Sequence, residues 1–180
     1  MKDKLTRKAK KEGYKARSAY KLLALQKKYH LMKKNDRVLD LGCWPGSWLQ
    51  VASQFAKEVI GVDKRETTIS GIETHIIDIF DERIFELGKF NVVLSDAAPT
   101  TTGNKLLDQQ KSYDLSMRSF NIACKLLNKK GNFLVKVFQS GESDKLIKPM
   151  REKFHFVKTV KPFGSKKRSK EVYLLGLEFK

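Results

Sequence analysis

The chain has 180 residues, 37 Lys/Arg against 20 Asp/Glu, a formal net charge of +17 at pH 7 and a pI near 9.9. That length suits one α/β domain, residues 1–180, whose central sheet is covered by helices on both faces. No apolar run approaches the roughly 20 residues that span a bilayer, and the basic N-terminus lacks the apolar core of a secretion signal. The two cysteines, Cys43 and Cys124, and the three scattered histidines have no metal-ligand spacing. A cytoplasmic monomer with reduced thiols, no metal and no membrane attachment is therefore expected.

The charge is unevenly distributed. Residues 1–37 hold fourteen Lys/Arg against three Asp/Glu, residues 158–180 seven against two, and residues 38–157 sixteen against fifteen. Cations collected at both ends of a balanced body suit a polyanion partner, whereas charge kept for solubility would be spread evenly. A generally lysine-rich surface is the plainer alternative.

In chain order, residues 1–17 read as a lysine-rich arm with little periodicity, mobile or loosely docked. Ser18 is a plausible N-cap for a helix carrying Ala19, Leu22, Leu23 and Tyr29 at helical spacing, ended by Asn35-Asp36. The pattern then predicts strand 37–41, helix 46–56, strand 58–62, strand 74–78, a short helix 81–87 and strand 91–95. A long helix over 108–128 follows, stopped by Gly131 after Lys129-Lys130, then strand 131–138, helix 143–153 and strands near 154–161 and 171–179. Alternating strands and helices argue for a seven-stranded, mainly parallel sheet. The last two strands have no helix between them and should pair antiparallel at one edge. Residues 164–170 read as a flexible basic loop.

Residues 38–48, Val-Leu-Asp-Leu-Gly-Cys-Trp-Pro-Gly-Ser-Trp, read as a strand, a glycine turn and a helix start, and the next strand ends on Asp63. Such a unit holds a nucleoside, with the second acid accepting from ribose hydroxyls. Gly42 and Gly46 stand four apart, and Trp48 falls near where the third glycine of Gly-x-Gly-x-x-Gly would lie. A dinucleotide fits poorly; a ligand without pyrophosphate fits better, and S-adenosylmethionine is the commonest. Ligands in such sheets sit outside the carboxyl ends of the strands, where the chain offers Asp40-Gly42, Asp63, Asp78, Asp96 and Lys136. Asp63 suits the ribose and Asp78 an adenine amino group, although each acid alone could be a helix cap.

Ser95-Asp96-Ala97-Ala98-Pro99 lacks the second proline and the aromatic residue of base-nitrogen methyltransferases, and no Pro-Cys pair offers a nucleophile for base carbon. An oxygen acceptor remains. Lys136 stands within Phe133-Leu134-Val135-Lys136-Val137-Phe138, where an apolar strand should carry no charge. Burial disfavours an ammonium, so such a lysine can act as a base; the alternative is a strand-end lysine reaching solvent. Glu171 could pair with it.

Three segments carry a resemblance: Asp-Leu-Gly-x-x-Pro-Gly-x-Trp at 40–48, Ser-Asp-x-Ala-Pro-x-x-x-Gly at 95–103 and Leu-Val-Lys-Val-Phe at 134–138. From about Lys15 onward the chain resembles the FtsJ/RrmJ family of RNA ribose 2′-O-methyltransferases. The resemblance implies a Rossmann-like methyltransferase fold, S-adenosylmethionine as cofactor and a Lys-Asp-Lys-Glu tetrad at Lys21, Asp96, Lys136 and Glu171. It also implies cofactor contacts drawn from Gly42, Trp44, Pro45, Gly46, Trp48, Asp63, Asp78 and Asp96. Cys43-Trp44 departs from the smaller residues of many members. The implied substrate is ribosomal RNA of the large subunit, a uridine ribose above all, with residues 1–17 as an RNA-binding arm; relatives that act on tRNA anticodon loops leave that substrate open. Two other functions remain: a non-catalytic RNA-binding assembly factor, and a nucleotide-dependent oxidoreductase that the absent third glycine disfavours.

Overall fold

The computed structural model describes residues 4–100, 102–138, 141–161 and 171–180; the basic loop expected at 164–170 lies outside them. Seven strands form one sheet: β1 (Arg37–Leu41), β2 (Glu58–Asp63), β3 (Glu73–Ile76), β4 (Phe90–Ser95), β5 (Leu127–Phe138), β6 (Phe154–Val160) and β7 (Glu171–Phe179). Their order is β3-β2-β1-β4-β5-β7-β6. β1 to β5 run parallel, and β7 lies antiparallel to both β5 and β6. The central strands are nearly continuous apolar runs because both of their faces are covered. The terminal hairpin is present, with β7 turned inward so that Lys136 faces Tyr173 and Phe138 faces Glu171.

Among the described residues five helices accompany the sheet: α1 (Lys4–Lys11), α2 (Ala19–Tyr29), α3 (Ser47–Ala52), α4 (Lys105–Leu126) and α5 (Gly141–Lys153), with a 3₁₀ turn at Glu82–Leu87. Strand alternation divides the core. Leu39 and Leu41 pack with Phe120, Phe133, Leu146 and Phe154 beneath α4 and α5. Val38, Leu94 and Leu134 pack with Leu22, Leu25, Trp48, Leu49 and Tyr173 beneath α2 and α3.

Three local expectations are corrected. The N-terminal arm contains α1 and is docked rather than loose. Ala9 is buried, Lys8 lies 5.0 Å from the Tyr20 ring centre, and the Tyr20 hydroxyl donates to Glu12 at 2.7 Å. Gln50 of α3 donates to the Gly13 carbonyl and accepts from the Lys15 amide. One buried alanine leaves no periodicity to read, so the helix was invisible in the pattern. Next, α2 ends at Tyr29, well before Asn35-Asp36. His30 turns left-handed at φ 50, and buried Gln26 brackets the backbone N–H and C=O of Met32. Ser18 precedes α2 but makes no capping bond; its hydroxyl pairs with that of Ser47 at 2.7 Å.

The third correction concerns Gly131. Helix α4 is capped by Asn104, whose side chain accepts from Leu106 and Leu107, and it ends at Leu126. Leu127 already pairs with Phe90, and the register shifts before Val92 meets Asn132. Gly131 therefore lies inside β5 at a bulge, where a Cβ would stand 2.8 Å from the Asn91 carbonyl oxygen and 2.9 Å from that of Asn128. It permits close backbone approach and stops no helix. Gly131→Ala should destabilise by about 1–3 kcal/mol, read as a melting temperature lower by roughly 2–4 °C per kcal/mol.

Candidate active site

The strand order reverses between β1 and β4, and the crevice outside their carboxyl ends is where an open α/β sheet binds ligands. A cleft of about 390 Å³ opens there, lined by Gly42, Trp44, Asp63, Arg65, Asp96 and the 97–100 turn among others; small-molecule sites commonly have that size. Gly42 is left-handed at φ +75, and a Cβ on it would sit 2.7 Å from the Ala97 side chain. Only glycine lets the end of β1 close against the turn after β4. Asp63 ties the two sides of the cleft, accepting from the Trp44 amide at 3.0 Å and the Arg65 amide at 2.9 Å. A carboxylate offers about four acceptor positions, so hydroxyl donors can still be met.

Of the eight residues assigned to a cofactor, Gly42, Trp44, Asp63 and Asp96 line this cleft, and Pro45, Gly46, Trp48 and Asp78 are not among its lining residues. Trp48 is buried in the core, donates its indole N–H to the Ser18 carbonyl at 3.1 Å and stacks on Tyr173 at 5.7 Å. An apolar ring on the inner face of α3 is drawn into packing. Gly46, left-handed at φ +104, faces the Ile69 side chain, and Pro45 lies in the turn beside it. Asp78 pairs with Lys64 at 2.8 Å, and Lys64 itself lines the cleft. Trp44 is 49 % exposed and is stacked by the Arg65 guanidinium at 4.5 Å, at the rim of the cleft.

Lys21, Asp96, Lys136 and Glu171 come from α2, the end of β4, β5 and the start of β7, and they converge. Lys136 Nζ lies 3.2 Å from Asp96 Oδ1 and also donates to the Asp96 carbonyl. Lys21 Nζ lies 3.2 Å from Glu171 Oε2. Lys136 is only 9 % exposed at its side chain and Lys21 13 %, so neither is a solvated surface lysine.

Tyr173, absent from the sequence reading, joins the two pairs. Its hydroxyl donates to Asp96 Oδ1 at 2.6 Å, and Lys21 Nζ lies 5.7 Å from its ring centre. Burial pushes the phenol well above its ordinary range, and the charge of Asp96, its hydrogen bond and Glu171 push it further. It therefore donates as a neutral phenol. The available signal was alternation, since Glu171 and Tyr173 share a face of their strand; the pairing with Lys136 needed the register.

Asp40 is fully buried two residues before Gly42, and neither carboxylate oxygen has a hydrogen-bond partner among the described residues. Burial raises it well above the carboxylate range, and the charges of Asp96 and Asp63 add to the shift. Neighbouring Cys43 is pushed up to about 12, by burial first and then by Asp40, which keeps it a thiol and a poor nucleophile.

A sheet with an inserted antiparallel strand, a nucleoside-sized cleft and two lysine–carboxylate pairs at its carboxyl edge define a group-transfer enzyme. The family model for FtsJ-like methyltransferases matches residues 14–179. Ribosomal RNA large subunit methyltransferase E of Methanothermobacter thermautotrophicus is 43% identical, over 99% of this chain and 90% of that protein. The protein of the same name from Borreliella afzelii is 41% identical over 99% of each chain. The crystal structure of a protein described as a ribosomal RNA methyltransferase from Plasmodium falciparum superposes with a TM-score of 0.81 at 31% identity, covering 92% of this chain and 98% of that one. The chain belongs to the FtsJ-like methyltransferase family and is a methyltransferase.

Two predictions arise from the buried acid and the buried phenol. An acid raised in the folded state holds its proton there, so its contribution is complete below the unfolded value, about 3.9, and is lost as pH climbs toward the folded one. Asp40→Asn should therefore melt a few degrees above the parent at pH 8 and with little gain at pH 4, as followed by circular dichroism. Tyr173→Phe removes one hydrogen bond to a charged acceptor, about 1.5–3 kcal/mol. It should lower the methyl-transfer rate by roughly tenfold or more while cofactor affinity measured by titration changes little.

Proposed function

We propose that the chain transfers the methyl group of S-adenosylmethionine to a ribose 2′-hydroxyl in large-subunit ribosomal RNA. The observation that carries this reading is the convergence of Lys21, Asp96, Lys136 and Glu171 around Tyr173, from positions spread over 150 residues, at the edge of the cleft. The cleft's chemistry fits the cofactor. Asp63 and Asp96 line the cleft and supply acceptors for ribose hydroxyls and an amine. When bound, the cofactor supplies a methyl on a positively charged sulfur, open to in-line displacement.

The residues of this chain do the rest. A ribose hydroxyl is far too weak an acid to ionise at neutral pH, so Lys136 Nζ, in its amine form, takes the proton as oxygen bonds to the methyl carbon and the sulfur–carbon bond breaks. Asp96 Oδ1 and the Asp96 carbonyl fix that nitrogen in place, and Tyr173 fixes Asp96. Lys21, set by Glu171, steadies the developing oxyanion or an adjacent phosphate. Much of the acceleration would be positional, with Asp96, Tyr173 and Glu171 fixing the two lysines beside the acceptor oxygen. The lysines and arginines of α1 and of residues 15–17 lead toward Lys21 and give RNA phosphates a cationic approach.

The relatives' names supply the substrate class. A non-catalytic binding role would suit four scattered residues or a cleft closed by Trp44; the four are together, and Trp44 stacks on Arg65. Lys136→Ala should retain cofactor binding by titration while methyl transfer to ribosomal RNA falls by roughly 10²–10⁴-fold. Parent-like activity in that variant removes Lys136 as the base. Transfer to tRNA and not to ribosomal RNA, mapped by ribose methylation, reassigns the substrate.

A further inference from the structure

The balanced middle of the sequence is not balanced in space. Its carboxylates Asp40, Asp63, Asp78 and Asp96 gather toward the carboxyl ends of the parallel strands, around the cleft. Lys64 and Lys136 stay with them, but Lys57, Lys89, Lys125, Lys129, Lys130 and Lys153 stand at the other end, where strands begin and α2, α4 and α5 terminate. Two lysines of the basic N-terminal segment, Lys33 and Lys34, join them before β1; Lys57 precedes β2, and Lys129 and Lys130 lie near the start of β5; all five are exposed. Cross-links make these segments one surface. The Lys57 amide donates to the Asp36 carbonyl at 3.0 Å, and Asn132 Nδ2 donates to the Leu31 carbonyl at 2.8 Å.

Other cations at that end have structural duties. Arg37 pairs with Glu58 at 2.7 Å, and Lys89 and Lys180 donate to last-turn carbonyls of α4 and α5. Lys153 lies in the last turn of α5, where a cation offsets the helix dipole. Lys33, Lys34, Lys57, Lys129 and Lys130 lie in no helix, so the dipole does not account for them. Among the described residues none of the five side chains forms an ion pair. The nearest acids are engaged, Glu58 by Arg37 and Asp36 by the Lys33 amide.

We infer that this face is a second phosphate-binding surface, which grips a segment of folded RNA separate from the one whose ribose enters the cleft. The inference rests on the functional reading above and extends it, since it requires a bulky substrate. Six residues of β4 at about 3.3 Å each separate the two ends by roughly 20 Å. A structured RNA that curves around the domain reaches both ends, and a short single strand held at the cleft does not. Charge complementarity selects RNA, whose phosphates such dispersed, mobile lysines neutralise without sequence readout.

The test replaces Lys33, Lys34, Lys57 and Lys129 by alanine together. Lys130 is left unchanged, because its positive φ of 64° would add backbone strain to the result. Binding of transcribed large-subunit ribosomal RNA should weaken roughly tenfold or more, and the slope of log affinity against log salt should fall by roughly three. Binding of a short single-stranded oligonucleotide and of cofactor should match the parent, which also shows that the variant is folded. Unchanged affinity and slope on the long RNA overturn the second surface, as does an equal loss on both RNAs, which would reduce it to general attraction. If the parent itself binds and methylates neither RNA, the functional reading fails first, and a tight complex with acidic protein alone would reassign the face.

Discussion

Asp96 Oδ1 accepts from two donors, the Tyr173 hydroxyl at 2.6 Å and Lys136 Nζ at 3.2 Å. That shared oxygen makes the active centre a consequence of sheet topology. Lys136 and Tyr173 are directly paired residues of an antiparallel ladder, while Asp96 follows the last residue of the strand on the other side of β5. Only a sheet in which β7 slides between β5 and β6 brings the phenol beneath the carboxylate. The inserted strand is thus the element that converts an ordinary nucleoside-binding crevice into a site with a fixed lysine. Trp48 backs the arrangement from below, since its ring stacks on Tyr173 and its N–H holds the start of α2, from which Lys21 projects.

The same site carries an electrostatic cost. The charges of Asp96 and Asp63 add to the burial that raises Asp40, and Asp40 has no hydrogen-bond partner among the described residues. Proteins seldom leave a buried acid unpaired, and they tolerate it where a ligand supplies the compensation. Here Asp40 does not line the cleft, and burial keeps its proton on instead.

Much of this was legible in the residues. The strand ends in Asp63 and Asp96 and the charged interruption at Lys136 followed from apolar runs with defined limits, and the tetrad followed from resemblance. Other features depended on contacts that a linear pattern does not contain. Helix α1 buries a single alanine and is held by Tyr20 and Gln50 from other elements. Gly131 resembles a helix stop because it follows two lysines, yet its neighbour across the sheet, the Asn91 carbonyl, decides its role. Trp48 lies in the turn that suggested a ligand, and α3 carries it to the core instead. Tyr173 could be named only after the register across β5 and β7 was fixed.

Charge shows the limit most clearly. Summed by segment, residues 38–157 are nearly neutral and suggest a body without electrostatic character. Folding sorts part of that neutrality by strand polarity: Asp40, Asp63, Asp78 and Asp96 stand toward the carboxyl ends of parallel strands, Lys57, Lys129 and Lys130 toward the amino ends, and Lys64 and Lys136 remain at the cleft. The molecule is therefore cationic at both extremes, with a belt of carboxylates recessed at the cleft. A polyanion attracted by such a field is drawn along the domain rather than to the cleft alone. Where each strand begins and ends thus decides which charges stand at the cleft and which at the opposite end.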